Sequence, residues 1–127
     1  MNAIIAGENG RRLILDGPNP KDGYTATLQI ESGEVSRTVH EFGNGLPGFV
    51  ADLADSWRGW PGPKTYRSLE GELELTAVHD GLGTVTLEVT VRQPWPPEWA
   101  ATATLDLGAG AQFEALAVTI AHWVHGT

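Results

Sequence analysis

Cysteine is absent from the 127 residues, which excludes disulfides, thiolate nucleophiles and cysteine-ligated zinc. Positive charge is scarce: 8 Lys and Arg stand against 16 Asp and Glu, for a formal net charge of −8 and a pI near 4.8. A field of that sign repels phosphate backbones and anionic headgroups. It argues against nucleic acid or a membrane surface as partner and is compatible with a basic protein. No stretch approaches the ~20 apolar residues of a membrane span. The apolar run between Met1 and Ala6 is too short for a signal peptide and has no basic flank. The expectation is a cytoplasmic protein, and nothing in the sequence specifies its oligomeric state.

The usual signatures of catalysis are missing as well. Serine occurs only at Ser32, Ser36, Ser56 and Ser68, none of them in a glycine-flanked nucleophile turn. No glycine-rich segment runs into the Lys-Ser or Lys-Thr of a phosphate loop. His122 and His125 are three apart on a helical pattern but have no carboxylate at ligand spacing, and His125 suits a helix C-terminus better than a metal. His79-Asp80 reads as turn chemistry. No catalytic residue, metal or cofactor is expected.

What is present is a single domain over residues 1–127, with 41% hydrophobic residues. Its clearest feature is the stretch Ser68–Arg92. Leu73, Leu75 and Ala77 alternate with glutamate and threonine, as do Val85, Leu87, Val89 and Val91. This is the period of two of strands with one wet face. Keeping the apolar residues on one face requires an even pairing sum. A loop at Asp80-Gly81-Leu82 meets that condition and pairs Leu75 with Leu87 and Leu73 with Val89. On the wet face it sets Glu74 against Glu88, Glu72 against Thr90 and Glu70 against Arg92. Pairing Val91 with Trp99 then adds a strand from Trp99 to Leu107.

Shorter alternations at Ala3–Ala6, Arg12–Leu15, Tyr24–Glu31 and Val35–Phe42 predict four further strands, with Gly17–Gly23 as a loop. Leu46, Phe49, Val50, Leu53, Ala54 and Trp57 form a helical stripe over Leu46–Arg58, and a second helix is predicted over Ala111–Val124. Pro94, Pro96 and Pro97 suggest a stiff extended connection before the last strand. The fold expected is α+β: a single antiparallel sheet of five to seven strands with two helices packed on one face. Trp57, Trp99 and Trp123 have core-facing positions, whereas Trp60 and Trp95 sit in proline-rich loops.

The segments Trp57-Arg58-Gly59-Trp60, Ser68-Leu69-Glu70-Gly71-Glu72-Leu73, His79-Asp80-Gly81-Leu82-Gly83 and Gly110-Ala111-Gln112 resemble a family of small acidic actinobacterial proteins of unknown function. The likeness runs from about Leu46 to Trp123, and the preference for arginine over lysine suits a high-GC host. That family often carries a histidine where this chain has Thr84, so the resemblance assigns no catalytic role there. It implies a fold and a host, not an activity. The residues themselves point to a non-enzymatic protein-binding domain, immunity-protein-like in size and charge. Its acidic sheet face would meet a basic partner through Glu72, Glu74 and Glu88, with Trp60 and Trp95 as loop contacts. The alternative is a small-ligand or carbohydrate-binding module built on those two loop tryptophans.

Overall fold

The computed structural model describes residues 2–19, 23–40 and 45–124. Eight strands and two helices follow in the order β1 (Asn2–Ala6), β2 (Arg12–Asn19), β3 (Gly23–Ile30), β4 (Gly33–Val39), α1 (Gly45–Asp55), β5 (Lys64–Arg67), β6 (Leu73–His79), β7 (Thr84–Pro94), β8 (Pro97–Gly108) and α2 (Ala111–Val124). The α+β class stands, but the strands form two four-stranded antiparallel sheets, β1-β2-β3-β4 and β5-β6-β7-β8, not one sheet. Each sheet pairs only sequence neighbours, because every connection within it is short enough for a hairpin. The chain from α1 to the start of β5 separates the two meanders.

Period-two alternation gives each sheet one apolar face, and both apolar faces enter a single core. Leu13, Leu15, Ala26 and Leu28 enter it from the first sheet; Leu73, Leu75, Leu87, Val89 and Leu105 enter from the second. The helices pack on each other. α2 reaches β1 and β2 in one sheet and β8 in the other, while α1 touches β5. Phe113, Ile120 and Trp123 are the buried residues of α2, and the Trp123 indole meets the Tyr24 ring edge-on at 5.2 Å. Trp123 is therefore a core residue, as its spacing predicts. His125 lies outside the described residues.

Several boundaries differ from the pattern reading. β5 has one apolar residue, Tyr66, flanked by Thr65 and Arg67, so it shows no alternation to read. β2 continues to Asn19 through a register irregularity after Asp16, where Gly17 and Pro18 had suggested a loop. The segment after Pro94 is not an extended connection: Pro94 pairs with Pro97 across a turn at Trp95-Pro96, whose peptide bond is cis.

The central hairpin keeps the derived parity but shifts by two residues. Leu75 lies opposite Val89, and Ala77 opposite Leu87. Asp80 is responsible. Its backbone N–H donates to the Thr84 carbonyl at 3.0 Å, and its carboxylate accepts the N–H groups of Leu82 at 2.6 Å and Thr84 at 3.0 Å. The donors of Thr84 and Leu82 hold the Asp80 carboxyl below its ordinary pKa. The open loop is thus Gly81-Leu82-Gly83, one position later than expected. Leu75 and Leu87 are both buried, though not directly opposite each other.

A contrast within β6 tests this placement. Leu75→Ala should lower the unfolding free energy by about 2–5 kcal/mol in urea titration. Val78→Thr, on the solvent side of the same strand, should stay within about 0.5 kcal/mol. Equal effects at the two positions would contradict the facing described.

Candidate partner-binding site

The register shift changes what the outer face of the second sheet presents. Its rows read Arg67-Glu74-Thr90-Thr102, Thr65-Thr76-Glu88-Thr104 and Val78-Thr86-Asp106. Glu74 and Glu88 are no longer opposed. Glu88 stands exposed between two threonines, and Glu74 lies between Thr90 and Arg67. The like-charge pair expected from the sequence is replaced by threonine neighbours. Thr90 and Thr102 share a hydroxyl hydrogen bond of 2.9 Å.

Glu72 is not on this face at all. It precedes β6 in the turn from β5, and only 1% of its surface is exposed. One carboxylate oxygen accepts the Ser68 hydroxyl at 2.9 Å; the other accepts the His40 backbone N–H at 3.0 Å and the His40 ring Nδ1–H at 2.7 Å. Burial pushes this carboxyl's pKa up, but the donors from His40 and Ser68 outweigh it and leave the pKa below its ordinary value. The same turn is closed by Ser68 N–H on the Leu73 carbonyl and Leu73 N–H on Ser68 Oγ. The Ser-Leu-Glu-Gly-Glu-Leu segment is therefore a turn organised around a buried anion. Glu72 is a structural residue, removed from the candidate contacts.

The tryptophans divide equally sharply. α1 ends at Asp55, and the Ser56–Arg58 turn, closed by Gly59 N–H on the Ser56 carbonyl, carries Trp57 off the helical stripe. Trp57 is 49% exposed, with the Arg58 guanidinium 5.0 Å from its ring centroid. Trp60, by contrast, is partly buried: its indole N–H donates to the Ala77 carbonyl at 3.2 Å and its ring meets His79 edge-on. His79 is held at both nitrogens. Nε2–H donates to the Trp57 carbonyl, which fixes the tautomer, and Nδ1 accepts the Gly81 N–H, both at 2.8 Å. Trp60 and His79 thus pin a loop, and Trp60 is withdrawn as a surface contact.

At the opposite end of the sheet the surface is open. The β5–β6 and β7–β8 turns lie side by side there, joined by Arg92 N–H on the Glu72 carbonyl. Trp95, on the second turn, is 84% exposed, and Leu69, on the first, is 79% exposed. Trp99, expected in the core, is half exposed, because Ala101 and not Trp99 lies opposite Val91 and β8 holds an extra residue before Pro97 pairs with Pro94. Arg67, Glu74, Arg92, Pro94, Pro97, Glu98 and Trp99 line a groove of about 570 Å³. Arg67 and Arg92 approach the same oxygen of Glu74, at 3.9 and 3.7 Å. Gly71 permits this. It has φ +81°, and a Cβ there would fall 2.8 Å from the Arg67 guanidinium. Neither the arginine pair nor Leu69 and Trp99 was a candidate from the sequence; the pairing of β5 with β6 and the register of β7 with β8 reveal them.

Among the described residues, no three His, Asp or Glu side chains cluster closely enough to hold a metal ion. No helix among the described residues is long and apolar enough to cross a membrane.

The fold and this surface define a small two-sheet α+β domain with an open groove at one end of its second sheet. The chain belongs to a family of unknown function (DUF6228), whose model matches residues 5–127. No curated protein and no solved structure matches it.

The lowered Glu72 pKa has a stability consequence with a definite sign. The stabilisation it contributes is full above the unfolded value near 4.5 and is lost as pH falls through the lower folded value. At pH 7, Glu72→Gln should cost about 1–3 kcal/mol, because an amide cannot accept at both ends. Urea titrations between pH 3 and 7 should then show a flatter pH profile for the variant than for the wild type. Parallel profiles would contradict the charged, hydrogen-bonded assignment.

Proposed function

We propose that this chain is a non-enzymatic protein-binding domain, immunity-protein-like in size and charge, that meets a basic partner through the outer face and open end of its second sheet. The observation that carries this reading is Trp95, 84% exposed on the turn between Pro94 and Pro97, which line the groove with Trp99. Folding gives no reason to leave so large an apolar ring in water, and tryptophan is enriched among residues that dominate binding energies. Glu70 and Glu98 rim this end and Glu88 extends the acidity along the sheet, all three exposed. In a chain of net charge −8, these groups would steer and orient a cationic surface. A sugar platform of Trp60 with Trp95 has less support, since the two rings stand at opposite ends of the sheet.

The immobilised protein should capture a basic partner from lysate of the source organism, with capture weakening as salt rises. Trp95→Ala should reduce binding of the recovered partner at least tenfold, and Glu88→Gln several-fold at low salt only. Both variants should retain the wild-type unfolding midpoint, as neither side chain packs in the core. A recovered partner that binds both variants and wild type alike would overturn the proposed surface.

A further inference from the structure

We infer that Arg67 and Arg92 form a carboxylate-binding subsite in the floor of the groove, which receives one carboxylate from the protein partner. Eight cationic side chains serve the whole chain, yet two of these converge at one end of one sheet. Their nearest anion, Glu74, lies beyond hydrogen-bonding distance of both, at 3.9 and 3.7 Å. Among the described residues the Arg67 side chain donates no hydrogen bond, and the Arg92 side chain donates one, from Nη1 to the Gly71 carbonyl at 3.1 Å. The two guanidinium forks therefore keep most of their donors unspent in a groove that also contains Trp99, Pro94 and Pro97.

Arg92 is held in place by that carbonyl, whereas Arg67 is 61% exposed and can adjust. A planar carboxylate can bridge the two forks with parallel N–H···O bonds. Glu74 and Glu98 both share the groove with the two guanidiniums and leave it no surplus positive charge. The paired forks therefore select a planar monoanion by geometry, and a phosphate dianion meets two carboxylates with no net charge to offset it. The Trp99 ring and the two prolines offer apolar contact for the chain that carries the carboxylate. Cationic residues of the same partner would fall near Glu70 and Glu98.

The identity of the ligand as a protein segment rests on the binding reading above, but the subsite can be tested without the partner. The probes are short lysine-containing peptides: one with a free C-terminal carboxylate and no acidic side chain, one amidated with a single internal glutamate, and one blocked at both positions. Inorganic phosphate is the fourth probe. Arginine side-chain N–H resonances of Arg67 and Arg92 should shift saturably with either carboxylate-bearing peptide and not with the blocked one. The tighter of the two identifies the source as a chain terminus or an acidic side chain. Arg67→Gln, at an exposed position, should weaken binding roughly tenfold, and Arg67→Lys should restore part of it. Phosphate binding as tightly as the carboxylates would overturn the assignment in favour of an unselective anion site. Absence of saturable shifts, or shifts at Arg92 unchanged in Arg67→Gln, would overturn the subsite. Loss of partner capture on Trp95→Ala is independent of either result.

Discussion

The two sheets are tied together by one buried carboxylate. His40 directly follows the last strand of the first sheet, and Glu72 directly precedes the second strand of the other. Three donors converge on the Glu72 carboxylate: one hydroxyl, one backbone N–H and one ring N–H. A charge taken out of water is tolerable only when it is so satisfied, and removing any one donor leaves part of the buried anion without compensation. The two apolar faces could slide against each other with little change in buried area, since hydrophobic attraction has no direction. The three hydrogen bonds do have direction. They fix where the end of β4 meets the β5–β6 turn.

That turn also creates the groove. Ser68 and Glu72 hold its backbone, Gly71 takes the left-handed conformation it requires, and the absence of a Cβ admits the Arg67 guanidinium. The Gly71 carbonyl then anchors Arg92 from β7. The residues that stabilise the connection are therefore the ones that place two arginines together. This coupling gives the Ser-Leu-Glu-Gly-Glu-Leu segment two physical roles, one inside the fold and one at its surface.

Much of the fold was legible because alternation is a local signal. The strands at Tyr24–Ile30, Leu73–His79 and Thr84–Val91 and the second helix read directly from spacing. Pairing parity was legible too, since a one-residue slip would have turned Leu75 and Leu87 into water. The exact register was not: shifts of two preserve the faces, and here the Asp80 side chain selects between them. That shift separated Glu74 from Glu88, and a second one, between β7 and β8, placed Ala101 in the row expected for Trp99. The division into two sheets was hidden because alternation says which face of a strand is wet, not which strand lies beside it. Glu72 was misplaced for a related reason. It continues the alternation of Glu74 by spacing, but it precedes the strand, where the backbone turns and the period no longer applies.

The candidate site was legible only in outline. Trp95 and Glu88 stood out as an exposed loop ring and a wet-face acid, and both lie in water. Trp57 and Trp60 exchanged the places their pattern suggests, because the helix ends at Asp55 and His79 ties up both the Trp57 carbonyl and the following loop. The second sheet is consequently closed at one end and open at the other. At the closed end, polar hydrogens of Trp60 and His79 are spent on backbone carbonyls. At the open end, most guanidinium donors of Arg67 and Arg92 make no hydrogen bond within the described fold, and the Trp95 indole is exposed. A ligand gains most where desolvation breaks no internal hydrogen bond, and that condition is met beside Arg67 and Trp95, not beside Trp60.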